Sequence, residues 1–227
     1  ATYQTKDEAF ISSSNPDIHP TDVLEDGDGS MLVVNTGGWF IAGCPLSVVA
    51  KKDIRGGIYR IRKIGAEKVQ DPWGRKIDMS KMAPADIVKY VTDSRPAVRS
   101  QAIEQLIATG AAAINDIKAI LLISADEEVR TAAVFMLYRI NHPDALSYIR
   151  EALNDKSAMV RTAAARVAGL SKDQASVPRL MEMVQSDDAA VRRQAATALG
   201  QIGNVQSINA LIKASANPND RFVEHAI

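Results

Sequence analysis

The sequence is poor in cysteine, in long apolar runs and in net charge, and each shortage excludes a class of protein. Among its 227 residues there is one cysteine, Cys44, so the chain has no internal disulfide and no cysteine-rich zinc or haem-attachment motif. Cys44 stands beside Pro45 without an identified basic partner, which argues against a catalytic thiolate. No apolar run approaches the ~18 residues that a membrane span requires, so no membrane span is predicted.

Net charge is absent as well, because 27 basic residues balance 27 acidic ones. Nucleic-acid-binding domains usually carry a basic surface, so no nucleic-acid partner is predicted. The most basic stretch, residues 51–63, is interrupted by isoleucine and tyrosine, as in a strand whose charges point outward. The chain starts at Ala1, which is compatible with removal of an export signal. Residues 219–227 read as the opening of a further helix, so we expect a fragment of a longer protein.

The clearest pattern is an internal repeat with a 31-residue spacing, and such periods are typical of stacked helical units. A Val-Arg pair is followed four residues later by alanine and eight residues later by a further apolar residue. The pairs are Val98-Arg99, Val129-Arg130, Val160-Arg161 and Val191-Arg192. These positions lie on one face of a helix and predict an apolar stripe. The small alanine, Ala164 for example, lets a neighbouring helix approach closely.

Each repeat is predicted to contain two helices. Short polar residues of the helix N-cap type precede each Val-Arg pair, and a second apolar pattern lies upstream of them, interrupted at Lys118. The first helices are predicted at residues 84–92, 112–123, 143–154, 174–185 and 205–216. The second helices are predicted at residues 96–109, 126–140, 157–170 and 188–202, with a stub from about 219. No single pair covers its own apolar face, so the pairs must stack into a mainly α solenoid.

Residues 1–65 have a different pattern, in which short β-type runs alternate with glycine, proline, asparagine and aspartate. Strands are predicted at residues 8–14, 22–24, 30–35 and 57–63. Residues 26–29, Asp-Gly-Asp-Gly, predict a hairpin turn, and residues 31–34 read as a strand buried on both faces. We therefore predict a small antiparallel β segment at 1–65 and a connector at 66–80 that packs Trp73 on the first repeat. The repeats occupy 81–227, four complete and a fifth truncated.

The repeat unit, an aspartate-containing turn followed by Val-Arg, alanine and leucine, resembles the HEAT repeat. The resemblance implies that the Val-Arg helices line the concave side of the solenoid. It also implies an arginine ladder, the series of ion pairs in which each of these arginines binds a turn aspartate of a neighbouring repeat. Aspartate is clear only at Asp93 and Asp155, whereas Ser124 and Ser186 stand in the other turns. We therefore expect the ladder to be incomplete.

A second resemblance is carried by residues 19–26, 28–40, 44–45 and 56–62, and Asp71-Pro72-Trp73-Gly74 and residues 220–226 fit it. These segments are similar to the last propeller blade, and to the region after that blade, in large exported bacterial proteins, the membrane-bound or sorbosone-type dehydrogenases. In that family HEAT-like repeats and a c-type cytochrome domain commonly come after the propeller. The resemblance implies a periplasmic or exported location and an oxidoreductase parent. No cofactor is expected in this chain, which lacks the cysteine pair of a haem site.

The remaining candidate sites have simpler interpretations. Glu25, Asp26 and Asp28 offer the hard oxygen ligands that Ca²⁺ prefers, but the loop lacks the downstream glutamate of an EF-hand and reads as a plain turn. The propeller resemblance places His19 and Asp22 beside a ligand channel; otherwise His19 is a loop residue. Three scattered histidines and one cysteine form no metal cluster, and no nucleotide-binding or nucleophile motif is present. We therefore predict no metal site and no catalytic residue.

The face of each second helix opposite its apolar stripe offers a better candidate. On three helices this face carries Thr131, Phe135, Arg139, Thr162, Arg166 and Arg193. An exposed Phe135 flanked by Arg139 and Arg166 would form the kind of patch enriched at protein interfaces. The alternative is that Phe135 fills a groove between repeats.

These observations predict a non-catalytic scaffold that binds an acidic protein segment or neighbouring domains of its parent chain. One alternative is part of an exported oxidoreductase linked to a c-type cytochrome domain. Another is a HEAT-like chromophore lyase, for which the sequence supplies no pocket.

Overall fold

The computed structural model describes residues 5–15, 17–38, 53–217 and 219–227. Cys44 lies outside these residues, as do the parts of the propeller resemblance at positions 39–40 and 44–45. The chain divides into two compact units. The first comprises Ala1–Ile77 with Arg95–Ala97, and the second comprises Asp78–Ser94 with Val98–Ile227.

The first unit contains a three-stranded antiparallel sheet with the strand order β1-β2-β3. The strands are β1 Pro20–Glu25, β2 Met31–Asn35 and β3 Gly57–Ile61. The predicted hairpin joins β1 to β2: the Asp26 amide donates to the Ser30 carbonyl at 2.8 Å. Gly29 has a φ of 74°, which glycine adopts without a steric penalty.

Two expectations for this unit are wrong. Residues 8–14 are exposed and form no strand, because β-type residues are stabilised by cross-strand partners that they lack here. Strand β2 is not buried on both faces, since Val33 is the one fully buried apolar residue in it. Trp73 packs within the first unit, where its Nε1 donates to Asp26 Oδ1 at 2.9 Å. A Cβ on Gly27 would lie 3.0 Å from the Trp73 ring, so glycine permits this contact.

The chain from Pro84 onward is mainly helical, and its helices follow the predicted ranges. They are α1 Pro84–Ile87, α2 Pro96–Thr109, α3 Ile114–Ile123, α4 Glu127–Ile140, α5 Pro143–Ala152, α6 Ala158–Leu170, α7 Val177–Ser186, α8 Ala189–Ile202, α9 Ile208–Ser215 and α10 Arg221–Ala226. Helix α1 continues as a 3₁₀ turn over Val88–Thr92, and similar turns precede α3, α7 and α9. Odd-numbered helices are the first helices of the repeats, and even-numbered helices are the second.

The apolar stripes of the second helices form the core of the repeats. Val98, Val160 and Val191 are 0% exposed and Val129 is 8% exposed. The alanines four residues further on, from Ala102 in the first repeat onward, are equally buried in all four of these repeats. Helix α4 packs on α6, and α6 packs on α8. The predicted stack of helix pairs is therefore confirmed.

The short polar turns start the second helices as predicted. The side chains of Asp126, Ser157 and Asp188 accept hydrogen bonds from the N–H groups two residues ahead at 2.8, 3.2 and 2.9 Å. Asp220 caps α10 in the same way. Each cap satisfies an N–H that the helix leaves unpaired, so the caps fix where each second helix begins.

The helical stretch Pro96–Ile123 has the length and apolar composition of a membrane span, a property that the sequence did not lead us to expect. Gly110 has a φ of 68° and separates α2 from α3, which have 14 and 10 residues. Each is shorter than the ~20 residues that cross a bilayer. Leu106 and Ile117 within them are 0% exposed, so these helices contribute to the core.

Ala164 on α6 is 0% exposed, and the Ala164→Leu variant is expected to lose about 1–3 kcal/mol of unfolding free energy through overpacking. Urea denaturation followed by circular dichroism measures the loss. Ala119→Leu on α3 is the control, because Ala119 is exposed. Equal denaturation midpoints for the two variants would show that Ala164 is not at a tight helix contact.

Candidate protein-interaction surface

A row of side chains runs along the second helices on the side away from the core. We call it the recognition row: Thr131, Phe135, Arg139, Thr162, Arg166 and Arg193. The three arginines are exposed and the two threonines are half-buried. Phe135 is 36% exposed, so it does not fill a closed groove between repeats.

The rotation of α4 explains the exposure of Phe135. One face of α4 packs into the core. Its residues Val129, Ala133 and Leu137 are 8%, 0% and 0% exposed. Residue 135 lies between the second and third of these and projects to the other side. One helical turn before it, the Thr131 hydroxyl is buried and makes no hydrogen bond within the described part of the chain.

Arg139 is not the unpaired cation that the sequence suggests. Its Nη1 and Nη2 donate to both carboxylate oxygens of Glu104 on α2, at 2.6 and 2.8 Å. This hydrogen bonding lowers the pKa of Glu104 below its ordinary value. The two side chains are 48% and 61% exposed, and pairs this exposed contribute little to stability. The pair cancels the charge of Arg139, and the row is less basic than predicted.

Arg166 and Arg193 carry the remaining positive charge of the row. Both are exposed, and neither guanidinium makes a hydrogen bond or ion pair with any residue that the structure describes. The Thr162 hydroxyl, one turn before Arg166, donates to the Ala158 carbonyl at 2.7 Å. Two uncompensated guanidinium groups therefore remain on α6 and α8, and the exposed aromatic ring of Phe135 lies on α4.

Helices α6 and α8, which carry these two arginines, approach each other closely. A Cβ added to Gly169 would lie 2.8 Å from the Cα of Ala198, so only glycine fits at this crossing. Ala165 and Ala195 are buried on the same pair of helices. Small residues thus hold the exposed faces of α6 and α8 side by side.

The arginine ladder that the HEAT resemblance implies is present on the turn side of the second helices, and its step from Arg130 to Asp155 is as predicted. Arg130 donates from Nε and Nη2 to both oxygens of Asp155, each at 2.9 Å. Its Nη1 binds the carbonyls of Ser124 and Ala125 at 2.9 and 3.2 Å. Burial disfavours the charged form of Asp155, but hydrogen bonds from Arg130 and the Ser157 amide outweigh this and lower its pKa.

The next arginine repeats the arrangement one residue out of register. Arg161 donates from Nε to Asp187 at 2.9 Å and from Nη2 to the other oxygen, and its Nη1 binds the carbonyls of Asp155 and Lys156. The expectation that Ser186 leaves this step without an acid is therefore wrong, because the neighbouring Asp187 supplies it.

Among the residues that the structure describes, the two outer arginines of the ladder have no carboxylate partner. Arg192 donates to Asn219 Oδ1 and to the Val184 carbonyl. Arg99 donates only to main-chain carbonyls, those of Asp93 at 2.7 Å and Ser94 at 3.1 Å. The predicted gap at Ser124 is present, and the Asp93 carbonyl accepts a hydrogen bond from Arg99.

The predicted ligand-channel residues lie in the first unit and have structural partners. His19 Nδ1 is 3.1 Å from the Gly37 carbonyl, to which it must donate, and the His19 amide donates to Asn35 Oδ1 at 2.8 Å. Asp22 is exposed on β1, and its carboxylate accepts from the Val23 amide at 2.8 Å. These contacts tie His19 to the end of the sheet.

Two of the three candidate Ca²⁺ ligands, Asp26 and Asp28, form ion pairs with arginines. Asp26 lies 2.6 Å from Arg60, and Asp28 lies 2.7 Å from Arg62. Hydrogen bonds from Ser30, with help from Arg62, lower the pKa of Asp28 to about 2. Within residues 5–15, 17–38, 53–217 and 219–227 no group of three or more His, Cys, Asp or Glu side chains could hold a metal ion.

The helix pairs have a match among known families. A family model for HEAT repeats matches residues 114–189 and 159–227, which together make up half of the chain. The chain belongs to the HEAT-repeat family. Over 93 residues its sequence is 33% identical to deoxyhypusine hydroxylase from Mus musculus and 30% identical to that from Homo sapiens. Each match covers 40% of this chain and 31% of the relative, so the shared region is about a third of the relatives' length.

A solved structure shows the same fold. The complex of CpcE and CpcF of phycocyanin lyase from Nostoc sp. PCC7120 matches with a TM-score of 0.53 at 18% identity, covering 63% of this chain and 95% of that chain. At this identity the likeness concerns the arrangement of HEAT repeats alone. The resemblance of the first third to propeller dehydrogenases gains no support from these comparisons.

Proposed function

We propose that this chain is a protein-interaction module whose HEAT repeats present the recognition row to an acidic segment of another protein or of a neighbouring domain of a longer parent. The observation that carries the proposal is the combination of an exposed Phe135 with the uncompensated guanidinium groups of Arg166 and Arg193. Aromatic residues and arginine are enriched where interfaces gain most of their binding energy.

The order of the side chains favours a particular ligand. Phe135 lies on α4, Arg166 on α6 and Arg193 on α8, so a segment that crosses these helices meets the aromatic ring first. Arginine presents a planar fork that binds a carboxylate through two hydrogen bonds. The expected ligand is therefore an extended segment with an apolar side chain followed by aspartate or glutamate.

The row supports binding better than catalysis. Its side chains are threonine, phenylalanine and arginine, which include neither an activated nucleophile nor a general base. The relatives named deoxyhypusine hydroxylase are enzymes, but the match to this chain covers only 31% of the mouse enzyme. The oxidoreductase alternative is motivated by the propeller resemblance alone. A scaffold role uses the residues that the chain exposes.

The charge-reversal variant Arg193→Glu tests the proposal against a fluorescent decapeptide in which a leucine precedes four glutamates. Fluorescence anisotropy of the full chain should give a Kd at least five times higher for the variant, because a like charge now faces the ligand. Phe135→Ala should weaken binding by a similar factor through loss of the aromatic contact. The control is Lys213→Glu on α9, an exposed residue outside the row.

Circular dichroism of each variant confirms that it is folded. If Lys213→Glu weakens binding as much as Arg193→Glu, attraction depends on net charge alone and the recognition row has no special role. Absence of saturable binding by the unmodified chain would equally overturn the proposal.

A further inference from the structure

Arg99 makes the same main-chain hydrogen bonds as Arg130 and Arg161, the two ladder arginines that bind carboxylates. Its Nη1 donates to the carbonyls six and five residues before it, and Arg130 and Arg161 use Nη1 in the same way on their own turns. These main-chain hydrogen bonds orient the guanidinium plane. By analogy with the other two arginines, the edge of Arg99 formed by Nε and Nη2 is directed at the turn of the next repeat.

The residue at the receiving position differs in this repeat. Ser124 precedes Asp155 by one full repeat and stands at the position from which Asp155 binds Arg130. In the step of Arg161 the aspartate is Asp187, one residue further along, where this turn has Ala125. The Ser124 hydroxyl instead accepts from the Asp126 amide at 3.2 Å. Within the residues described by the structure, Nε and Nη2 of Arg99 make no hydrogen bond. The ladder therefore contains one oriented donor pair that lacks its acceptor.

Arg99 is one of the residues that line a cavity. Its lining consists of Val91, Thr92, Asp93, Ser94, Arg99, Ile103, Asp126, Glu128, Val129 and Ala132. Four of these side chains are apolar, and Arg99 is half-buried among them. Apolar surroundings strengthen a charge-assisted hydrogen bond relative to the same contact in water.

We propose that this cavity is a carboxylate-binding site that takes an aspartate or glutamate side chain from a protein partner. The incoming carboxylate would occupy the place that Asp155 and Asp187 take beside Arg130 and Arg161, and would accept from both Nε and Nη2 of Arg99. The site uses no residue of the recognition row, so the two proposals can fail separately.

The rim of the cavity narrows the choice of ligand. Asp126 is the N-cap of α4 and accepts from the Glu128 amide at 2.8 Å, and Glu128 also lines the cavity. These carboxylates repel a bare anion but attract a cation beside it. The expected ligand is therefore an acidic residue followed directly by lysine or arginine in a segment of the partner.

Nuclear magnetic resonance of the arginine Nε–H groups in the full ¹⁵N-labelled chain tests the site. The probe is capped aspartyl-lysine, N-acetylated and amidated, at constant ionic strength. The Arg99 signal, assigned through its loss in Arg99→Lys, should shift in a saturable way at millimolar probe. The Arg130 and Arg161 signals should stay in place because internal aspartates already occupy those edges. Capped asparaginyl-lysine should shift none of them.

Two variants at the receiving position separate the outcomes. Ser124→Asp supplies the missing carboxylate from within the chain, so the chemical shift of the Arg99 signal should move toward those of Arg130 and Arg161. The shift change that the probe induces in this signal should be at least tenfold smaller than in the unmodified chain. Ser124→Asn has a similar size and no charge, and should respond like the unmodified chain. The proposal is overturned if the Arg99 signal does not respond to the aspartyl probe, responds equally to the asparaginyl probe, or responds fully in Ser124→Asp.

Discussion

The Arg130→Met variant is expected to lose about 3–5 kcal/mol of its free energy of unfolding, the usual cost of breaking a buried ion pair by removing one partner. The side chain of Arg130 is 3% exposed and that of Asp155 is 12% exposed. Methionine keeps most of the volume but leaves the Asp155 carboxylate and two turn carbonyls without their donor. Urea denaturation at pH 7 measures the loss.

The matched control is Arg139→Met, which removes another arginine with two hydrogen bonds to one carboxylate. Arg139 and Glu104 are 48% and 61% exposed, and water replaces the lost contacts at little cost. The denaturation midpoint should therefore change little. If both variants lose the same free energy of unfolding, burial does not explain the contribution of the Arg130–Asp155 pair to stability.

The pH dependence of the loss provides a second measurement. The pKa of Asp155 is lower in the folded protein than its ordinary value, so its contribution to stability is fully present above the unfolded pKa, about 3.9. That contribution disappears as the pH falls through the folded pKa. The gap between the unmodified chain and Arg130→Met should therefore shrink below about pH 4, because protonated Asp155 no longer needs a cation.

The helical part of this fold was accessible from the sequence because its determinants are local. The 31-residue spacing and the period of a helix place Val98, Val160 and Val191 on one face, and all three are 0% exposed. The N-cap residues mark where the second helices begin. His142, at the start of α5, likewise accepts from the Asp144 amide and is a cap. Neither feature requires knowledge of which distant residues contact one another in the fold.

The long side chains of arginine and lysine depart from the 31-residue pattern, so their contacts are harder to predict from it. Arg161 reaches Asp187, one residue past the register that joins Arg130 to Asp155, because this turn has serine at 186 and its aspartate at 187. Lys118 interrupts the apolar series, yet its ammonium lies 4.3 Å from the centre of the Tyr148 ring. An aliphatic stem and a cation–π contact let lysine occupy that position.

The sheet and the charge of the recognition row depend on contacts that are distant in the sequence. Residues 8–14 have strand-like composition, but composition does not say whether a partner strand is available. Arg139 binds Glu104, 35 residues earlier. A signal for this pair exists, since both positions lie on the outward faces of adjacent second helices. Using it requires the lateral offset between those helices, which the repeat period alone does not give.

The glycines at equivalent positions of two successive repeats should respond to the same mutation with opposite signs. Gly169 is buried at the end of α6, and a Cβ there would lie 2.8 Å from the Cα and 3.0 Å from the Cβ of Ala198 on α8, and would also meet the Gln201 side chain. Gly169→Ala is therefore expected to lose about 1–3 kcal/mol, because backbone atoms must move apart.

Gly200 occupies the equivalent position of the next repeat, on α8, and a Cβ added there meets nothing within 4 Å. Gly200→Ala should gain about 0.5–1 kcal/mol, since alanine favours the helix and restricts the unfolded chain. Urea denaturation should thus separate the two variants by about 1.5–4 kcal/mol. Helix propensity changes identically in both, so the difference reports the α6–α8 contact alone. A stabilising Gly169→Ala would show that α6 and α8 are not in contact at this position, and that the arginines above them are not held side by side.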